Sequence, residues 1–525
     1  MERGDERTTP DGVTRDAALP NDIEALQALL VAERAELARV TDELHRYKAM
    51  IEALKRHQFG RRSEKLDPDQ LGLALEDVEQ SAAAAETAQE QKTPPARRSP
   101  RRRTNRGALP AHLPRIETTI AVDSACPCCA GLMHQIGEDV AERLDIVPAQ
   151  FRVLVTRRPK YACRRCAGTI VQAPAPARLV EGGLPTEALV AHAIVAKYAD
   201  HLPLYRQAQI YARQGIDLDR STLADWVGRA AWWLRPLHER LLAELCASPK
   251  LFADETPAPV LDPGRGRTKT GQLWAYARDD RPWGGPAPPA VAYAYAPDRK
   301  AERPSAHLER FRGVLQVDGY AGYRALADKG QVTLAFCWAH VRRRFYDIAQ
   351  GGDAPIASEA LARIASLYAI EAEIRGHSAE ARRLARQERS RPIVAALQSW
   401  LDAQLALVSR KSTIAEAMRY ALTRWTGLAR FLDDGRIEID SNPVERSIRP
   451  IALNRKNALF AGSDGGGEHW AIHASLIETC KLNAIDPQAY LADVLARLVA
   501  GHPINRLEEL LPWTWAATQP AQRAA

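Results

Sequence analysis

The chain has 525 residues, a formal net charge of +7 and 46% hydrophobic residues. By the usual domain size, this length predicts roughly three or four domains. No apolar stretch reaches the roughly 18 residues that a membrane span needs, and the polar N-terminus MERGDERTTPDG does not have the apolar core of a secretion signal. The composition excludes a membrane protein and predicts a cytoplasmic one, whose moderately basic charge permits a nucleic-acid partner.

A heptad pattern near the N-terminus predicts a coiled coil. Residues 1–21 are predicted to be disordered, and residues 22–58 carry apolar side chains at nine of ten seam positions, from Ile23 to Leu54. A seam of this length with charged flanks favours a coiled coil over a single surface helix. We therefore expect the chain to associate with itself, at least as a dimer.

Residues 59–110 are predicted to be a linker that contains a basic patch. Six arginines fall within the ten positions from Arg97 to Arg106. A solvated run of charge and an arm that contacts phosphates are both consistent with this pattern.

Two CxxC pairs predict a zinc-binding module over residues 111–183. Its cysteines are Cys126, Cys129, Cys163 and Cys166. Four thiolates in two such pairs favour one structural, tetrahedral zinc over disulfides in a cytoplasmic protein. Cys128 lies inside the first pair and could compete with its neighbours as a ligand.

Residues 184–245 show the order of a helix-turn-helix. A predicted helix from Leu204 to Arg213 is followed by a turn at Gly215 and by a third helix, capped at Ser221 and running to Trp233. A small helical bundle would give the same pattern, so DNA binding is one of two interpretations. The arginines expected to contact DNA are Arg206, Arg213 and Arg220.

Residues 246–350 change to strand-like patterns. Strands are predicted at Leu251 to Ala253, Gln272 to Ala277, Ala290 to Tyr295, Val314 to Val317 and Val332 to Phe336. Three strands, a helix, a strand, a helix and a strand is the order of the ribonuclease H fold, in which the first and fourth strands are neighbours. Residues 351–435 are predicted to be a helical insertion, 436–483 the rest of this α/β core, and 484–525 a helical tail. The fold class is thus multidomain α+β.

Glu445 stands near the start of a predicted helix. Asn442 is expected to be the N-cap and Pro443 the first helical residue, which places Glu445 three residues past the cap. Helix capping alone would explain a glutamate there. Asp254 and Asp318 each end an apolar run, as turn residues also do. Together the three acids form the hard-oxygen set that Mg²⁺ or Mn²⁺ favours.

Cations surround Glu445 and also follow the fifth strand. They are more numerous than a helix cap needs, and they suit a site that holds a phosphate chain. The residues expected to contact DNA are Arg446, Arg449, Arg455 and Lys456, with Arg342 and Arg343 in the second segment. His340 precedes that segment, and both a packed structural histidine and a residue that contacts DNA or metal are consistent with the sequence.

Several long motifs carry a family resemblance. They include FGRRSEK at 59–65, RPKYACRRC at 158–166, DHLPLYRQAQIYARQG at 200–215, ADETP at 253–257, LQVDGYAGY at 315–323 and CWAHVRRRF at 337–345. Over nearly its whole length the chain resembles the large transposase of the insertion-sequence sixty-six family, within the DDE superfamily. The resemblance implies that Asp254, Asp318 and Glu445 are the catalytic triad, that the cysteine pairs bind zinc, and that the helix-turn-helix binds DNA.

The resemblance also implies a reaction. Two Mg²⁺ or Mn²⁺ ions in each active site would support 3′-end cleavage and then strand transfer into target DNA. The expected partners are the terminal inverted repeats and target DNA of the nucleoid, a second copy of the chain, and in some cases accessory proteins of the same element. A nuclease of the same fold without strand transfer, or a non-catalytic DNA-binding regulator, are the alternatives.

Overall fold

The computed structural model describes residues 114–117, 128, 149–162, 170–262, 266–330, 332–350 and 354–518. All of them belong to one compact unit, Leu109–Ala525. The predicted disordered start, the coiled coil and the linker lie outside the described residues, and so do the four cysteines of the two CxxC pairs.

The described strands form two sheets. The strands are β1 (Lys160–Ala162), β2 (Ile170–Gln172), β3 (Lys250–Asp262), β4 (Arg267–Arg278), β5 (Ala290–Ala296), β6 (Gly313–Val317) and β7 (Val332–Phe336). β1 and β2 make a two-stranded antiparallel sheet, and the other five form one sheet in the order β5-β4-β3-β6-β7.

Helices connect and cover these strands. Before and between the strands lie α1 (Glu187–Tyr198), α2 (Leu204–Ala212), α3 (Arg220–Cys246), α4 (Glu302–His307) and α5 (Arg324–Asp328). After β7 come α6 (Trp338–Ala349), α7 (Pro355–Ile374), α8 (Ala379–Ala385), α9 (Arg391–Leu407), α10 (Thr413–Leu422) and α11 (Trp425–Ala429). The last four are α12 (Asn442–Ala458), α13 (Asp464–Leu482), α14 (Pro487–Val499) and α15 (Pro512–Thr518). None of the described helices is long and apolar enough to span a membrane.

The five-stranded sheet is mixed. β4 pairs antiparallel with β3 and β5, whereas β6 pairs parallel with β3 and β7. The prediction that the first and fourth strands of this region are neighbours is therefore confirmed by the pairing of β3 with β6. Buried apolar side chains such as Leu251, Phe252, Leu315 and Val317 place these two strands in the middle of the sheet's core.

β3 is longer than the sequence predicts. The predicted strand ends at Ala253, but β3 continues to Asp262 as a hairpin with β4. Alternate residues of the extension are buried, as expected for a strand with one face on the core. These residues are Thr256, Ala258 and Val260. Pro257 and Pro259 obscured the extension, because proline in a sequence argues against a central strand.

α3 also differs from its prediction. Asp219, and not Ser221, is the N-cap, since its carboxylate accepts a hydrogen bond from the Ser221 backbone N–H at 2.7 Å. The helix continues past Trp233 and Pro236 to Cys246, because its buried apolar face continues. The residues of that face beyond Trp233 are Leu234, Leu237, Leu241 and Leu245.

α13 covers the edge strand β5. The helix starts at Asp464, where the Ser463 hydroxyl oxygen accepts a hydrogen bond from the Gly466 N–H at 3.1 Å. Ser475 and Thr479 accept hydrogen bonds from backbone N–H groups of β5, at 2.8 and 3.1 Å. Their hydroxyls satisfy backbone donors that an uncovered edge would leave exposed.

Two apolar clusters hold the described residues together. The first joins the sheet with α1 to α3 and with α12 to α14, so the predicted helix-turn-helix region and the helical tail share a core with the strands. The second lies among the helices between α6 and α12 and includes Trp338, Trp425 and Phe431. The predicted helical insertion is therefore built of helices with a core of their own.

Candidate active site

Asp254 and Asp318 lie on neighbouring parallel strands. The register pairs Phe252 with Gln316, so continuing it by two residues places Asp254 beside Asp318. Neighbouring strands are about 4.8 Å apart. Asp318 follows the last residue of β6, as predicted, whereas Asp254 lies inside β3, just past the segment that pairs with β6. The two acids thus lie on adjacent backbone segments where the parallel pairing ends.

The turn after β6 holds Asp318 in place. Its carboxylate accepts a hydrogen bond from the Tyr320 N–H at 2.8 Å, and its carbonyl oxygen accepts one from the Tyr420 hydroxyl at 2.6 Å. Gly319 between them has φ of +105°, and a Cβ there would lie 2.6 Å from Arg424 Nε. Only glycine fits this turn without strain and without displacing Arg424.

Glu445 reaches the site from the first turns of α12. The predicted N-cap is wrong by one residue, because Ser441 is the cap and Asn442 is already helical. Glu445 is consequently one position too far along for a capping box, in which its carboxylate would accept the cap's N–H. The Ser441 N–H donates instead to Cys337 Sγ, while the Ser441 hydroxyl donates to Glu445 Oε1 at 2.9 Å. Helix capping therefore does not explain Glu445.

The acids act on one another. Burial raises the pKa of Asp254 well above its usual value, and the negative charges of Asp318, Glu255 and Glu445 raise it further. These charges are all of one sign, so Asp254 is surrounded by repulsion that a bound cation would relieve. The oxygen donors and this electrostatic environment both fit a hard divalent metal ion.

Glu255 also lies beside Asp254, and no pattern in the sequence predicts it as a site residue. Its side chain is 2% exposed and forms an ion pair with Arg299. The Tyr323 hydroxyl also donates to it, at 3.1 Å. Glu255 therefore has a cationic partner among the described residues, whereas the charges that act most strongly on Asp254 beside it are negative.

An open cleft of about 440 Å³ adjoins Asp318. Arg343, Arg344 and Arg424 line it together with His340. The Arg344 and Arg424 guanidinium carbons each lie 4.0 Å from the centroid of the Tyr420 ring. Of these arginines, only Arg343 is among the predicted DNA-contacting residues. Nothing local in the sequence indicates Arg424, because it comes from the predicted insertion, more than 100 residues after Asp318.

The remaining predicted cations divide by position. Glu445, Arg449 and Lys456 share one face of α12 by helical spacing. Arg446 is exposed on an adjacent face, whereas Arg455 donates to the Pro257 carbonyl oxygen and so ties α12 to β3.

The other predicted DNA-contacting arginines lie on the surface. Arg342 packs against the Tyr346 ring, 5.6 Å from its centroid, and is not among the residues that line the cleft. Arg206, Arg213 and Arg220 are all exposed, at α2 and at the start of α3.

Cys337 and His340 lie next to Glu445. One potential ligand atom from each of the three residues lies within 4.8 Å of the other two. His340 Nδ1 is 3.8 Å from Glu445 Oε1, is buried, and accepts or donates no hydrogen bond within the described part of the chain. The spacing of Cys337 and His340, three residues apart at the start of α6, is the signal in the sequence that could have indicated this group.

A buried group of four charged side chains lies behind the acids, and we call it the arginine–glutamate cluster. It consists of Glu371, Arg382, Arg386 and Glu438. The backbone of Glu438 is joined to the Gln316 side chain by two hydrogen bonds of 2.9 Å. Gln316 stands two residues before Asp318 and Glu438 seven before Glu445, so this contact sets the strand of one acid against the segment that leads to the other.

These features describe an α/β protein in which Asp254, Asp318 and Glu445 lie near an arginine-lined cleft beside the sheet. The chain belongs to the IS66 transposase family: residues 182–469, more than half of its length, match "Transposase IS66 family". Residues 475–513 match "IS66 C-terminal element", 123–167 match "zinc-finger binding domain of transposase IS66", and 46–118 match "Transposase C of IS166 homeodomain". The predicted family is thus confirmed.

Relatives of similar length occur in Sinorhizobium fredii (strain NBRC 101917 / NGR234). The uncharacterized protein y4jD is 49% identical over 525 residues, covering 97% of this chain and 99% of the relative. The uncharacterized proteins y4qI and y4hP are 44% and 40% identical, and cover 95% and 90% of this chain and 98% and 89% of their own lengths. Their names add no activity to the family assignment.

Proposed function

We propose that this transposase binds the ends of its insertion sequence, cleaves them at the 3′ side in a metal-dependent reaction and transfers the ends into target DNA. The observation that carries the proposal is the adjacency of Asp254 and Asp318 on paired parallel strands, with Glu445 close enough to act on the pKa of Asp254. The strand order, with a helical insertion before the third acid, supports a ribonuclease H-like core.

Asp254, Asp318 and Glu445 are the catalytic residues in this proposal, and they would hold two Mg²⁺ or Mn²⁺ ions. Such ions polarise a phosphate and make water or a hydroxyl a better nucleophile. In the first reaction a water oxygen bonds to phosphorus and the 3′-oxygen leaves with a proton. In the second, that 3′-hydroxyl attacks a target phosphate and displaces the target's own 3′-oxygen, so one acidic site serves both transfers.

The cations have a different role from the acids, which is to bind the DNA phosphates. Arg343, Arg344 and Arg424 line the cleft beside Asp318 and would contact the phosphates next to the reacting one. Arg449 and Lys456, on the same face of α12 as Glu445, would contact phosphates farther along the DNA. Guanidinium groups held against the Tyr420 ring are restricted before DNA binds, which lowers the cost of ordering them.

The zinc and DNA-binding assignments are also part of the proposal. One zinc ion would be held by Cys126, Cys129, Cys163 and Cys166, as the match to a zinc-finger domain over 123–167 supports. β1 and β2 flank the second cysteine pair in sequence and pair antiparallel, as in a zinc knuckle. Cys128 is exposed and stays a competing ligand. The exposed arginines of α2 and α3 would contact end DNA.

The test uses labelled insertion-end DNA, Mg²⁺ or Mn²⁺ and the full chain. Wild type is compared with Glu445→Gln, and Glu359→Gln serves as the matched control because Glu359 is exposed on α7 in a pair with Arg363. We expect nicked and joined products from the wild type and the control, and neither from Glu445→Gln. Nicking without joining would indicate a nuclease. Tight binding without cleavage in every protein would indicate a regulator.

A further inference from the structure

The Cys337, His340 and Glu445 side chains form a group of mixed ligand type beside the acids. Their ligand atoms, a sulfur, a ring nitrogen and a carboxylate oxygen, lie within 4.8 Å of one another. Cys337 is 2% exposed at the start of α6, so it is fixed by the core. His340 Nδ1 is buried without a hydrogen-bond partner in the described residues, which is the condition of a nitrogen that is available to a ligand.

We infer that these three residues form a second metal site, selective for thiophilic divalent ions such as Zn²⁺, Co²⁺ or Cd²⁺. Three protein ligands with a fourth position open to solvent is a common zinc arrangement. Sulfur and imidazole ligands select such ions, whereas Mg²⁺ and Mn²⁺ favour the all-oxygen set of Asp254 and Asp318. The two sites therefore take different ions although they lie side by side.

Glu445 belongs to both sites, so an ion bound at the second site affects the first. Its Oε1 already faces His340 and accepts the Ser441 hydroxyl. A thiophilic ion on Cys337 and His340 holds Glu445 on that side and withdraws it from the two aspartates. The site is thus inhibitory. The inhibition rests on the proposed function, but the binding of the ion does not.

Binding has a cost that limits its affinity. Burial raises the pKa of the Cys337 thiol to about 12, so the free protein carries the proton and loses it to solvent as the sulfur–metal bond forms. The Ser441 N–H that donates to this sulfur favours the thiolate and offsets part of that cost. Metal coordination of a thiol deprotonates it outright in other sites.

The binding test is a Co²⁺ titration of the full chain, purified with its zinc in place so that the cysteine-pair module is the same in every sample. We expect a sulfur-to-cobalt charge-transfer band in the wild type that Cys337→Ser lacks. Serine retains an acceptor for the Ser441 N–H, and Cys480→Ser, at another fully buried cysteine, is the matched control that keeps the band. His340→Gln should keep the band but weaken Co²⁺ binding about tenfold or more.

The activity test is inhibition of Mg²⁺-dependent nicking by added Zn²⁺. Wild type and Cys480→Ser should be inhibited alike, and Cys337→Ser should need about tenfold more Zn²⁺ for the same fractional inhibition of its own nicking rate. An unchanged cobalt band in Cys337→Ser, or equal Zn²⁺ sensitivity of the two variants, overturns the inference. The cobalt band is measured without DNA, so it distinguishes failure of this site from failure of the proposed reaction. Wild-type protein that nicks end DNA but shows no cobalt band refutes the site alone.

Discussion

Two groups of charged residues in this protein differ in net charge: one is balanced, and the other is entirely negative. The arginine–glutamate cluster has two positive and two negative side chains, each at most 9% exposed. The acid cluster, which we define as Asp254, Asp318 and Glu445, has three negative groups that are half-buried. The charges with the largest effect on the pKa of Asp254 are all negative. The first group has its counter-charges within the chain, and the second is arranged to receive them from outside.

The difference shows how one part of the protein supports the other. Buried charges that are paired and hydrogen-bonded can hold segments in one arrangement, whereas unpaired ones are costly. Through the two Gln316–Glu438 hydrogen bonds, the arginine–glutamate cluster contacts both the strand of Asp318 and the segment before α12. The structure thus keeps its repelling acids together by anchoring their backbones, and leaves the side chains available for metal.

The largest effect is expected from a neutral residue in the acid cluster. Asp318→Asn keeps an acceptor for the Tyr320 N–H but removes a metal ligand, so we expect cleavage of end DNA to fall on the order of a thousandfold, equivalent to about 4 kcal/mol. Binding of end DNA should stay close to that of wild type. The measurements are single-turnover nicking and a binding titration. A parallel loss of binding would mean that Asp318 has a structural role.

A substitution in the arginine–glutamate cluster should lower the stability of the fold, whereas Asp318→Asn should lower the cleavage rate. Arg386 donates to both carboxylate oxygens of Glu371 and to the Phe431 carbonyl oxygen. Arg386→Met leaves a buried carboxylate without its main partner and should lower the free energy of unfolding by at least about 3 kcal/mol. Urea denaturation measures this.

Arg389→Met is the matched control for Arg386→Met. Arg389 pairs with Glu373, and both side chains are exposed, at 42% and 59%. Exposed pairs contribute little, so this variant should change the free energy of unfolding by less than about 1 kcal/mol. Equal losses in the two variants would contradict the distinction between buried and exposed pairs here.

The contrast between the clusters also shows what the sequence could predict. The apolar runs before Asp254 and Asp318 are local, and the inferred strand order was enough to bring the two acids together. The arginine–glutamate cluster depends on contacts between residues far apart in the sequence. Arg382 and Glu438 are 56 residues apart, and Gln316 and Glu438 are 122 apart. No local pattern marks such pairs. The cap of α12 was missed by one residue because serine and asparagine are equally good caps.

A third kind of buried ionisable group stays neutral, and it makes the protein sensitive to acid. Burial lowers the pKa of His473 from 6.5 to about 3, while its Nε2 is 3.0 Å from the Val227 carbonyl oxygen. Between pH 7 and pH 5 the unfolded chain gains a proton at this residue that the folded chain does not, so stability falls by about 2 kcal/mol from this group. His473→Gln removes that loss.

The check is a set of urea curves for wild type and His473→Gln at pH 7, 6 and 5. The difference in unfolding free energy between the two proteins should shift by about 2 kcal/mol in favour of the variant as the pH falls. Taking the difference cancels the other groups that titrate in this range. If the difference in unfolding free energy between the two proteins does not change with pH, His473 takes up a proton in the folded protein as readily as in the unfolded chain.

The smallest effect tests the imbalance of the acid cluster directly. In metal-free protein at pH 7.5, Asp254→Asn removes a charge that Asp318, Glu255 and Glu445 repel, while the amide oxygen still accepts the Glu255 N–H. We expect the free energy of unfolding to rise, because the amide is not repelled by these neighbouring charges. Saturating Mg²⁺ should reverse the order, because ions at about 100 times their dissociation constant stabilise wild type by about 2.7 kcal/mol and the variant much less. The opposite result, in which metal-free wild type is more stable than Asp254→Asn, would mean that the acids are held by partners within the chain, as in the arginine–glutamate cluster.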